Sequence, residues 1–149
     1  MPSLFEPQTA LVITERLHQL QPDSQQLWGK MNVAQMIAHV RNVLEVATGD
    51  RNERPSFFAK LLAPWIKTVI LGDKPFKPNL PTGPSFAVRD NRDFATEKEK
   101  LLQLYNRFIQ EGAPAAEGRV HPLVGKLSAD EWGFSQWKHF DHHLRQFGV

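Results

Sequence analysis

The stretch MNVAQMIAHVRNVLEVATG, residues 31–49, reads as a helix with one wide apolar face. Val33, Met36, Ile37, Val40, Val43, Leu44 and Ala47 recur at three- and four-residue steps, the spacing that keeps side chains on one side of a helix. Asn32 offers an N-cap and Gly49 a C-terminal stop. A face this wide has to be covered by other helices.

Working outward, residues 7–20 form a first helix, with Leu11, Val12, Glu15 and Leu17 among good helix formers and Gln21-Pro22 ending it. Residues 22–30 are a polar connection. Residues 92–111 form another helix, with Phe94, Leu101, Leu104, Tyr105 and Phe108 apolar and Glu97 to Lys100 on the solvated side. Gly112 ends it, and residues 113–127 read as a loop. The last helix spans 128–147 and opens with a capping box, Ser128 with Glu131. Residues 50–91 differ in character, because they hold six of the 11 prolines. Within them lies one apolar helical piece, 56–71, followed by a proline-rich loop to residue 85. Structureless loops of this length are uncommon and often functional. Four main helices without strand alternation predict an all-α four-helix bundle in a single domain, 1–149. The long crossover between helices two and three lets them run parallel, which gives an up-down-down-up course.

Composition narrows the function classes. A chain of 149 residues with 41% hydrophobic and 23% charged residues belongs among globular proteins rather than disordered ones. The absence of cysteine excludes a disulfide scaffold, thiolate zinc sites, iron–sulfur clusters and a cysteine nucleophile. Eighteen basic and 16 acidic residues leave a net charge of only +2. The densest basic run, Lys138 to Arg145, is interrupted by histidines and Asp141, so nucleic-acid binding is not expected. No apolar run reaches the length of a membrane span; the nearest, Ser56 to Gly72, carries Lys60, Pro64 and Lys67. Met1 to Pro7 lacks the basic and apolar regions of a secretion signal. The expectation is a soluble, cytoplasmic protein.

Three of the six histidines fall within His139-Phe140-Asp141-His142-His143. Residues four apart share a helix face, so His139 and His143 point at one place, together with Trp132, Gln136 and Phe147. Paired helical histidines at this spacing are a metal-binding geometry. Phe140 stands where the zinc-protease motif has glutamate, which excludes that mechanism. His142 lies with Lys138 and Arg145 and is assigned to the surface. His39, at the rim of the apolar face of 31–49, is the natural third ligand from a facing helix. Three imidazoles leave a coordination position open, as catalytic sites do, and suit zinc, nickel, iron or copper alike. The competing reading makes His39 a hydrogen-bonded core residue and the pair a solvated face complementing the helix dipole. Nucleophile-elbow, P-loop and dinucleotide motifs are absent, and carboxylates are scattered singly.

His139-x-x-x-His143-Leu-Arg-Gln146 resembles the H-x-x-x-H-x-x-Q end of DinB-like proteins, and His39 in Met36-Ile-Ala-His-Val40 resembles their second-helix histidine. His121-Pro-Leu-Val-Gly125-Lys-Leu127, followed by Glu131-Trp132-Gly133, is similar to an uncharacterised subfamily of that group. The likeness is concentrated in residues 28–48 and 119–147. It implies an up-down-down-up bundle, often dimeric, that binds a divalent metal through three histidines, here His39, His139 and His143. Several relatives in that group are transferases or isomerases dependent on bacillithiol, mycothiol or glutathione; others have no known activity. The resulting reading is a metal-dependent transferase or hydrolase acting on a small molecule, with a low-molecular-weight thiol as a candidate cofactor. The alternative is a non-catalytic bundle serving as a binding or interaction module.

Three further residues bear on that reading. Gln146, one turn beyond His143, is a candidate for orienting it, against an ordinary polar position. His121 is a candidate base at the mouth of the site, against a turn start set by Pro122. Trp132 is a candidate pocket wall, against a core residue. His18 has no nameable partner and is assigned to the surface. The stripe Phe58, Leu61, Leu62, Trp65 and Val69 admits three readings: a helix packed on the bundle, a lid or dimer contact, and a membrane-surface helix.

Overall fold

Asn32 closes the start of a helix, α2 (Val33–Thr48), with a reciprocal pair of hydrogen bonds. Its side chain accepts from the Gln35 N–H at 2.9 Å, and the Gln35 side chain accepts from the Asn32 N–H at 3.0 Å. Ser128 and Glu131 repeat the device at the start of the last helix, α5 (Ala129–Gln146). The two helices that carry the paired and single histidines therefore begin at fixed points. The computed structural model describes residues 1–149. It adds α1 (Pro7–Gln19), α3 (Phe57–Leu71) and α4 (Phe94–Ala116), a 3-10 turn at Pro84–Phe86, and a two-stranded antiparallel hairpin of β1 (Val120–His121) and β2 (Gly125–Lys126). The protein is all-helical apart from that hairpin.

The core is one contiguous cluster. Ile13 and Leu17 of α1, Met36, Ile37, Val40 and Leu44 of α2, Leu101, Tyr105 and Phe108 of α4, and Trp132, Phe140 and Leu144 of α5 all join it. The Tyr105 ring meets Phe140 edge-on at 5.2 Å, and its hydroxyl donates to the Ala10 carbonyl at 2.9 Å. One side chain thus ties three helices, and its burial raises the phenol pKa to about 12. α2 packs chiefly on α4, while α5 touches α1, α2, α3 and α4.

Two differences from the sequence expectation have clear causes. Glu97 is buried rather than solvated, because Arg41 of α2 and Arg92 converge on its carboxylate at 3.1 and 3.3 Å. The segment 113–127 is more than a loop. Gly112 breaks α4 with φ 71° and ψ −171°, after which the chain makes one more helical stretch to Ala116. A non-glycine residue would resist that positive φ. The hairpin follows, too short for strand alternation to register in the sequence.

Gly133 shows why the N-terminal segment can lie on α5. A Cβ there would stand 2.1 Å from Ser3 Oγ and 2.7 Å from the Phe5 ring. The close approach lets the Leu4 N–H donate to the Gly133 carbonyl at 3.2 Å. α3 meets the core through the half-buried Leu71 at its end. The helix buries no residue, and Phe57, Phe58, Leu61, Leu62 and Trp65 are exposed along it. No helix is long and apolar enough to cross a membrane.

Candidate metal centre

α2 contributes His39 and α5 contributes His139 and His143, and the three imidazoles converge. Their ligand nitrogens lie within 4.8 Å of one another. The rings stand edge to face, with centroids 5.0, 4.8 and 4.6 Å apart. Helical spacing predicts the pairing of His139 with His143, and His39 is the residue expected from the facing helix.

Hydrogen bonds to backbone carbonyls decide where two of the ring protons sit. His39 Nδ1 lies 2.9 Å from the Phe86 carbonyl oxygen, which can only accept. His39 therefore carries its proton on Nδ1, and its Nε2 lone pair faces inward. For His143 the logic takes one more step. The Gln146 Nε2 donates to the Trp28 carbonyl at 2.8 Å, so the amide oxygen faces His143 Nδ1, also at 2.8 Å. His143 is again protonated on Nδ1, and its Nε2 is bare. His39 Nε2 and His139 Nε2 are 3.1 Å apart. A lone pair held on the first of these requires a proton or a cation from the other side.

Electrostatics favour the unprotonated rings. Burial lowers the pKa of His39, and it lowers those of His139 and His143 well below the usual histidine range, with further repulsion among the three. Neutral imidazoles are the form that ligates metal. His139 Nδ1 is buried without a hydrogen-bond partner.

A cavity of about 410 Å³ opens beside the trio. Trp65, Ile66, Val69 and Ile70 of α3 and Phe76 of the following loop wall it. No aspartate, glutamate, lysine or arginine lines it. α3 is held over this space by Lys138. Its ammonium donates to the carbonyls of Val69 and Gly72 at 2.7 and 2.6 Å and stands 4.5 Å from the Phe76 ring centroid. An ion pair from Lys67 to Glu131 at 2.8 Å adds a second tie.

The other candidate residues fall as follows. Trp132 is both core and wall: it is fully buried, lines the cavity, and donates from Nε1 to the Arg119 carbonyl at 3.3 Å. His121 lines the cavity with its ring 5.4 Å from Trp132. Its Nδ1 accepts from the Leu123 N–H at 3.1 Å, as a turn beginning at His121-Pro122 suggests. Burial pulls its pKa down to about 4, so near neutral pH its one proton sits on Nε2. His142 is not on the surface. It is half-buried between Trp28 and Phe76, 5.8 and 5.7 Å away, because the loop after α3 folds over it. His18 is exposed.

Sequence reasoning missed the backbone carbonyls of Phe86 and Trp28, which no side-chain pattern encodes. It also missed Lys138 as a clasp. Gln136 was visible only as a face-mate of His139. It is 1% exposed, lines the cavity, and its Oε1 has no partner.

The profile of the family described as Protein of unknown function (DUF1569) matches residues 7–148. No curated protein and no solved structure matches the chain.

Proposed function

The chain belongs to the family described as Protein of unknown function (DUF1569), and for it we propose a metal-dependent enzyme, a transferase or hydrolase acting on a small molecule. His39, His139 and His143 would hold one divalent ion. The observation that carries this reading is the pair of proton assignments: two imidazoles held by carbonyl acceptors so that bare Nε2 atoms converge beside a third ring. Outer partners that orient ligand histidines in this way are typical of metal sites. A divalent ion held by these three residues would supply Lewis acidity, the means of lowering the pKa of a bound water or thiol. Zinc, nickel and iron all suit three neutral imidazoles.

The chain's own residues supply the rest. Gln146 holds His143 in the ligating tautomer. His121, with Nδ1 already accepting, offers an Nε2–H and enters as a hydrogen-bond donor to substrate rather than as a base. The apolar side chains of α3 that wall the cavity would strengthen polar contacts at the site. The DinB-like resemblance and the up-down-down-up course belong to the same reading, supported by the position of the three histidines and by the long connection between α2 and α4.

The test is metal content by mass spectrometry on native protein and on His139→Ala. Near-stoichiometric metal that is lost in the variant is expected. No metal in either, after zinc, nickel, iron and manganese are supplied, would overturn the reading. Cobalt-substituted protein then separates an open site from a closed one. A visible spectrum that shifts when a thiol is added marks an exchangeable position, and an unmoved spectrum favours a non-catalytic module.

A further inference from the structure

We propose that the cavity under α3 is a binding site for a small, predominantly apolar molecule, uncharged beyond its head group, whose polar mid-section is read by the Gln136 amide. This rests on the metal reading above only in placing the molecule's head group at the three histidines.

Three observations carry it. The first is size and lining. A space of about 410 Å³ falls in the range of small-molecule pockets, and its walls include the apolar inner face of α3 and Phe76. The second is charge. With no ionised side chain on the lining, a carboxylate or phosphate away from the three histidines would be buried without a counter-charge. The nearby ammonium of Lys138 is already occupied by carbonyls at the end of α3. The third is Gln136. It sits three residues before His139, on the same face of α5 and against the same cavity. Its Oε1 is sealed from solvent and bonded to nothing. A buried amide oxygen without a partner is costly where leucine would pack, and such groups call for a reason. A ligand that supplies the missing hydrogen bonds is that reason. Near the ion the site therefore grips a head group, and at Gln136 it discriminates, because an apolar analogue would leave the amide unsatisfied.

The experiment uses zinc-loaded protein and calorimetry with straight-chain alkyl hydroxamic acids of four to eight carbons. Matched chains carry either a terminal carboxylate or an in-chain amide at successive positions. Affinity should rise roughly fourfold per methylene, and the terminal carboxylate should erase that gain. At one amide position native protein should bind about tenfold tighter than Gln136→Leu, while plain chains bind the variant at least as well. Gln136→Leu should also melt higher than native protein in the absence of ligand. Affinity indifferent to chain length, carboxylates bound equally well, an amide series blind to Gln136→Leu, or a variant less stable than native would each overturn the proposal. If zinc fails to load, the metal reading fails instead. The cavity is then tested with the same chains as primary alcohols, read by thermal shift, with the same expected dependence on length and on Gln136.

Discussion

Gln146 illustrates how much one side chain can decide. Its amide is clamped by the Trp28 carbonyl, and that clamp sets which nitrogen of His143 holds the proton. Replacing Gln146 with alanine should lower zinc affinity about 10- to 100-fold, the usual effect of losing such an orienting partner. Chelator competition measures it, and unchanged affinity would show that packing alone orients the ring. His121 gives a second prediction. Its pKa is about 4 in the folded protein against 6.5 unfolded. Between those values the unfolded chain binds more protons, so stability is full above about pH 6.5 and falls as pH drops toward 4. The loss is on the order of 3 kcal/mol. Denaturant melts across that range should show a shallower slope in His121→Asn, which keeps an acceptor for the Leu123 N–H. A parallel slope would assign the pH dependence to other groups.

At the scale of elements, α2 and α5 are anchored by capping boxes and core stripes, whereas α3 has neither a box nor a buried side chain. Its register over the cavity depends on a few polar ties, chiefly Lys138. Lys138→Met keeps an apolar stem but abandons the carbonyls of Val69 and Gly72. Hydrogen exchange in residues 66–72 should speed up by about tenfold or more, since hydrogen bonds from a charged donor contribute ~1.5–3 kcal/mol. Protection in α2 and α5 should be little changed. Equal loss in all helices would mean that α3 is part of the cooperative core. The capping motifs were legible in the sequence because they are local, three residues from end to end. Lys138 was not, because its acceptors lie on carbonyls nearly seventy residues away in a helix whose position composition cannot state.

For the molecule as a whole, the site joins α2 to α5 across a hundred residues of chain. A ligand held at that junction binds the folded state alone and must raise its stability. Zinc at about a hundred times its dissociation constant should add ~2.7 kcal/mol. For a chain of this size that is a rise of roughly 5–10 °C in Tm. The shift should vanish in His39→Ala and in His139→Ala, and a shift retained in both would place the metal elsewhere. The pairing of His139 with His143 was readable in advance because helical periodicity puts residues four apart on one face, and His39 because it sits at the rim of an apolar face. That periodicity also defined the helices and the face of α2 that had to be buried. The buried Glu97, the sheltered His142, the partnerless amide oxygen of Gln136 and the apolar space beneath α3 were not readable. Each depends on which distant groups surround a side chain, and burial and hydrogen-bond satisfaction are properties of the packed molecule, whereas helical period, caps and breaks are properties of neighbours along the chain.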